Sequence, residues 1–151
     1  MYNQTSHHSS HKYRAYANAT MTVGKVRQIV MLYDGVIRCV RRAIEAIGQA
    51  DYETRFNQLA KACEIINGLS NSLDYENGGE IAPLLGDYYA SIDARLFTVH
   101  RTNSIEVCNA VIRELRMMRD AWDEIDQNSG VQPAPPVETH LHSGAEHVVS
   151  A

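Results

Sequence analysis

The sequence predicts an all-α fold: an antiparallel up-down four-helix bundle with a short N-terminal helical arm and a disordered C-terminal tail. Apolar residues recur at steps of three and four through most of the 151-residue chain, the spacing of one helix face. Three breaks divide that pattern, at Gly48–Asp51, Asn77-Gly78-Gly79 and Asn103-Ser104. No competing run alternates with the period of a strand. Short connections between long helices favour antiparallel neighbours. The expected organisation is an arm over 1–19, a helical bundle over 20–127 and a tail over 128–151.

The first helix is predicted from about Val26 to Gln49. Val26, Ile29, Tyr33, Ile37, Val40, Ile44 and Ile47 lie on one face. A second apolar line, Leu32, Val36, Cys39 and Ala43, runs beside it. Gly48 and Asp51 mark a turn, with Asp51 suited to cap the next helix. That second helix carries Tyr52, Phe56, Leu59, Cys63, Ile66 and Leu69 at helical spacing and runs to about Leu73. Asn77-Gly78-Gly79 breaks the chain, because glycine readily takes positive φ. The third helix starts near Glu80, with Pro83 in or near its first turn, where a missing N–H costs little. Its expected buried face is Ile81, Leu85, Tyr88, Ile92, Leu96 and Val99. Asn103-Ser104-Ile105-Glu106 reads as a variant capping box, with Asn103 as the cap. Ile105, Cys108, Ile112, Leu115, Met118, Trp122 and Ile125 then form a bundle seam.

Charge and motifs narrow the function. Fourteen Lys and Arg against eighteen Asp and Glu give a net charge of −4, which argues against non-specific nucleic-acid binding. No apolar run is long enough to span a bilayer. The start, which lacks a hydrophobic h-region, is not expected to be a secretory signal, and the expected compartment is the cytosol. Three widely spaced cysteines, Cys39, Cys63 and Cys108, form neither a disulfide framework nor a metal motif and read as packed thiols. No Glu-x-x-His pair of a di-metal bundle occurs, and the histidines other than His100 sit in the polar ends. Neither a metal nor any other cofactor is expected, and no catalytic set is visible. His100, beside Arg101, reads as a C-terminal helix histidine; the competing reading is a phosphotransfer bundle. Arg38, Arg41 and Arg42 on the first helix, and Arg113, Arg116 and Arg119 on the fourth, read as solvated faces.

The unusual feature is apolar excess. If a bundle core consumes one line of the first helix, then Leu32, Val36 and Cys39 face a shallow groove suited to an amphipathic partner helix. The alternative occupant is a segment of the same chain around Tyr13–Ala19.

Several segments also match a known family. Met31-Leu32-Tyr33-Asp34-Gly35 resembles the Met-Leu-Tyr/Phe-Asp-Gly signature of the FliS family of flagellar secretion chaperones. Leu73-Asp74-Tyr75-Glu76-Asn77-Gly78-Gly79-Glu80-Ile81-Ala82 resembles that family's turn, and Tyr89 with Arg95-Leu96 resembles its third helix. Trp122 and Tyr13-x-x-Tyr16 fit the last helix and the tyrosine-bearing arm. The resemblance covers roughly residues 12–126. Two departures are Val23-Gly24-Lys25, where the family often has Ser-Pro, and Val99-His100, where Ala-Asn is common.

The resemblance implies a cytosolic, non-enzymatic chaperone. It would bind the C-terminal segment of flagellin one-to-one, keep it from polymerising, and deliver it to the flagellar export machinery, with components of the export gate as further partners. A homodimer of the empty protein is compatible with it. A helical adaptor with another client is the alternative. Expected partner-facing or groove-supporting residues are Ile29, Leu32, Tyr33, Val36 and Ile37, with Tyr33 and Ile37 favoured for the core. Tyr13 and Tyr16 would form a displaceable lid, a role tyrosine suits because its ring covers apolar surface while its hydroxyl stays wet. Gly35 would permit close helix approach, and Asp34 would bond a neighbour.

Overall fold

The computed structural model describes the backbone of residues 7–129 and the side chains of residues 24–129. Within them lie four helices: α1 (His7–Gly48), α2 (Tyr52–Asn71), α3 (Ile81–Thr102) and α4 (Ile105–Ser129). No strand occurs among the described residues. The helices form a ring in which α1 packs on α2 and α4, and α3 packs on the same two. Cross-links show that neighbours run antiparallel. Arg27 of α1 meets Asp126 of α4, while Asp34 further along α1 meets Arg119, earlier on α4. Gly35 faces Ile65 across α1 and α2. Arg55 near the start of α2 donates to Asn103, just past the end of α3.

Helix α1 starts at His7 rather than near Val26. Residues 7–23 lack an apolar period, which is why periodicity did not extend there. They also lack Gly and Pro and include Lys12, Arg14, Ala15, Ala17 and Ala19, so intrinsic propensity favours helix without amphipathicity. The side chains of Tyr13 and Tyr16, and the tail beyond 129, lie outside the described residues.

The ring geometry also corrects the one-line premise for α1. A helix with two neighbours buries two lines. Tyr33, Val36, Ile37 and Val40 are all buried, and Cys39 is half-buried. Val36 is therefore core, packed between helices and not facing a groove. In α3 the buried line is Ala82, Tyr89, Ile92, Leu96 and Val99, while Ile81 is exposed and Leu85 and Tyr88 are half-buried. In α4 the seam runs through Cys108, Val111, Ile112 and Leu115, with Met118 and Trp122 partly buried and Ile105 and Ile125 exposed. Tyr52 and Phe56, at the start of α2, are exposed because they lie at the bundle's end.

Much of the family-like signature is spent on this packing. The buried Tyr33 hydroxyl donates to the Tyr89 hydroxyl at 3.0 Å. Burial first, then that bond, push the Tyr33 phenol far above its ordinary range. Arg119 donates to Asp34 at 3.0 Å, tying α4 to α1. A Cβ at Gly35 would stand 3.3 Å from Ile65 Cδ1, so glycine lets α1 and α2 approach there. Arg95 forms a two-point clasp with Glu114, at 2.8 and 2.5 Å, joining α3 to α4.

The turns follow local chemistry. Asp51 caps α2, accepting from the Thr54 backbone N–H at 3.0 Å. In the α2–α3 turn the Asp74 carboxylate accepts from the backbone N–H groups of Glu76 and Asn77, and Gly79 takes φ +56°. The expected capping box is displaced by one residue. Asn103 ends α3 in the left-handed conformation, its N–H bonded to the Val99 carbonyl. Ser104 caps α4, its hydroxyl accepting from Val107 N–H at 3.2 Å. A two-residue connection needs Asn103 as a stop, so the start signal passes to Ser104.

These contacts set the acid response. Hydrogen bonds from Thr54, Asn77 and Arg95 hold Asp51, Asp74 and Glu114 below their ordinary values of 3.8, 3.8 and 4.5. Burial, then the charge of Arg55, lowers His100 below 6.5. In all four the unfolded chain binds protons more readily, so stability falls as pH falls. The expected urea midpoint declines in two stages, first below about 6.5 from His100 and then below about 4.5 from the carboxylates. His100→Gln should flatten the first stage and leave the second; a first stage unchanged in that variant would refute the assignment.

Candidate functional site

Helix α2 has an apolar groove along each flank. The first lies between α1 and α2 and encloses about 370 Å³. Ile29 and Leu32 form its α1 wall, Gly68 and Leu69 its α2 wall, and Lys25, Gln28 and Ser72 its rim. Leu69 is buried and serves as floor, whereas Leu32 is 41% exposed. No atom lies within 4 Å of where a Gly68 Cβ would stand, so the missing side chain keeps the groove wide.

The second groove lies between α2 and α3 and encloses about 450 Å³. Its floor is Ile66 and Tyr89, its α2 wall is Asn67 and Ser70, and its α3 wall is Ala90, Ala94 and Phe97 with Asp93 between them. Phe97 is 73% exposed. Ala90, Ala94 and Phe97 stand at i, i+4 and i+7, one stripe of α3. The small alanines allow a helix to approach closely, and Phe97 offers a large apolar contact. At the bundle end the aromatic surface continues through Phe56, whose ring centroid lies 5.1 Å from that of His100, with Phe97 at 6.2 Å from the same ring.

The predicted residues divide between these layers. Ile29 and Leu32 come together in the α1–α2 groove. Tyr33, Val36 and Ile37 lie in the core and can act only by supporting it. Phe97, Ala90 and Ala94 were missed by sequence reasoning. The available signal was a phenylalanine off the buried line of α3, in register with two alanines.

The titratable groups of the described residues serve mainly in packing and capping. His100 is wedged against two phenylalanine rings with its Nδ1 buried and unpartnered, unlike the exposed imidazole that phosphotransfer needs. Burial pushes the Cys63 thiol up to about 12 and the Cys108 thiol to about 11, which keeps both as unreactive thiols. Among the described residues no group of three His, Cys, Asp or Glu could hold a metal, and no helix is long and apolar enough to cross a membrane.

Two grooves with exposed apolar walls on a helical bundle suit the binding of a helical segment. Comparison with known proteins places this geometry in a family. The profile described as "Flagellar protein FliS" matches residues 9–129. The flagellar secretion chaperone FliS of Campylobacter jejuni is 32% identical over 120 residues, covering 79% of this chain and 94% of the relative. The Salmonella typhimurium protein of the same name is 33% identical over 116 residues, covering 76% and 86%. That of Bacillus subtilis is 29% identical over 117 residues, covering 77% and 86%. The match spans all four helices and both grooves, and the chain belongs to the FliS family of flagellar proteins.

Proposed function

We propose that this chain is a cytosolic, non-enzymatic export chaperone that binds the C-terminal segment of flagellin and holds it until delivery to the flagellar export machinery. The observation that carries the reading is the pair of apolar grooves flanking α2, with Leu32 and Phe97 exposed at their walls, on a bundle whose relatives are named flagellar secretion chaperones.

The mechanism follows from competition for apolar surface. A free segment with an apolar helix face self-associates through coiled-coil-like contacts. Seating that face against Ile29 and Leu32 on one side of α2, and against Ala90, Ala94 and Phe97 on the other, removes it from self-association. Ordering a disordered segment costs about 2–5 kcal/mol of the gross interaction energy, which keeps capture reversible at handover. Tyr13 and Tyr16, on the N-terminal stretch of α1, serve in this reading as a lid that the client displaces.

Titration of the full chain with a labelled C-terminal flagellin peptide, followed by fluorescence anisotropy, tests the proposal. The expected result is saturable one-to-one binding that is lost when the peptide's apolar helix face is made polar. Absence of binding, both by the full chain and by a folded chain lacking the first residues of the arm, would refute it and leave an adaptor with another client.

A further inference from the structure

On the side of the ring away from the α2–α3 groove, the arginine stripes of α1 and α4 face one another. Two cavities of about 470 and 380 Å³ lie along the α1–α4 seam and share Arg41 and Arg116 as lining residues, so they form one continuous groove. Arg38 joins from α1 at one end, and Arg113 from α4 at the other. All four are exposed. None forms an ion pair among the described residues, whereas Arg119, at the same groove, is paired with Asp34 and Asp120. The floor is apolar: Ile37 and Ile112 are buried and Ile44 is half-buried. These arginines are solvated as the sequence suggests, and Arg41 and Arg116, 75 positions apart, line the same cavity.

We infer that the α1–α4 groove is a second docking surface, distinct from the client grooves, for an acidic amphipathic helix of a partner protein. Both halves of that description follow from the lining. The isoleucine floor calls for an apolar stripe on the occupant, and the arginines on both walls call for carboxylates flanking it. Arginines at i and i+3 rise by about 4.5 Å along their helix, and carboxylates at helical spacing rise equally, so a docked helix can pair repeatedly. A nucleic acid fits less well. Asp34, Glu45 and Asp120 interrupt the groove, and the chain's net charge of −4 repels a polyanion at long range. This seam lies opposite the α2–α3 groove, and its lining shares no residue with either client groove.

The test uses the full chain and two synthetic helical peptides of about 18 residues, long enough to span both cavities. One carries a leucine stripe flanked by glutamates; the other has glutamine at every glutamate. The expected result is saturable binding of the acidic peptide, weaker at high salt and at least tenfold tighter than binding of the glutamine peptide. Arg41→Glu with Arg116→Glu should reduce acidic-peptide binding at least tenfold, and the milder Arg41→Gln with Arg116→Gln should reduce it in the same direction. Binding of the flagellin peptide should remain unchanged in both, which separates this inference from the client reading. Equal binding of the two peptides, no saturable binding of the acidic one, or no effect of either arginine pair would overturn it. So would tighter binding of a single-stranded oligonucleotide, or arginine-dependent self-association in sedimentation, which would make the occupant a nucleic acid or a second copy of the chain.

Discussion

A protein carrying Leu32→Glu together with Phe97→Glu is expected to fold as the wild type does and to lose nearly all measurable affinity for the flagellin segment. Leu32 is 41% exposed and Phe97 is 73% exposed, so neither change opens the core, and surface substitutions of this kind shift stability by about 0.5 kcal/mol or less. Binding is another matter. Fully burying an exposed Leu or Phe side chain is worth about 1.5–3 kcal/mol; the share still exposed here corresponds to roughly threefold to fortyfold in Kd per residue, and each glutamate also brings a charge that resists desolvation. The two residues stand on separate grooves, so their losses should multiply where one client occupies both. Anisotropy titration of the two single variants and the double variant, beside urea unfolding of each, separates binding from folding. Wild-type affinity in a well-folded Leu32→Glu protein would remove the α1–α2 groove from the client surface, and the same result for Phe97→Glu would remove the α2–α3 groove.

How far the sequence carried this picture depends on the range of each interaction. The four helices, the Asp51 cap and the glycine turn rest on contacts within a few residues, and periodicity read them directly. The close approach at Gly35 and the bond from Arg119 to Asp34 were expected only as a close approach and an unnamed neighbour. The burial of Val36 depended on how many helices touch α1, a property of the ring that α1's own sequence does not contain. The exposure of Phe97 was hidden for a related reason: α3 has apolar residues on more than one line, and only the packed ring shows which line turns outward. The arginine groove was least legible, since Arg41 and Arg116 meet across a seam set by the antiparallel pairing of α1 with α4. The missed start of α1 has a different origin, helix propensity without an apolar stripe, to which a periodicity criterion is blind.

Tyr33→Ala is expected to bring the bundle close to unfolding at ordinary temperature. Tyr33 is fully buried, and its ring packs 6.3 Å, centroid to centroid, from that of Tyr89. Truncating a large aromatic in a core costs about 3–5 kcal/mol, a large share of the roughly 5–15 kcal/mol by which a domain is stable. The change also leaves the hydroxyl of Tyr89, a residue only 2% exposed, without the donor it accepts from. Tyr33→Phe separates the two contributions: it keeps the ring and removes only the hydroxyl, so it should cost about 1–3 kcal/mol, the price of an unsatisfied buried group. Adding Tyr89→Phe should recover part of that loss, because an apolar pair of the same shape leaves nothing unsatisfied. Urea midpoints of the three variants decide the matter. A Tyr33→Phe protein as stable as wild type would mean that Tyr33 acts through its ring alone; a large loss restored by the second phenylalanine would trace the cost to the unsatisfied Tyr89 hydroxyl, and a large loss that persists in the double variant would place the paired hydroxyls among the contacts that fix α1 against α3 across the centre of the ring.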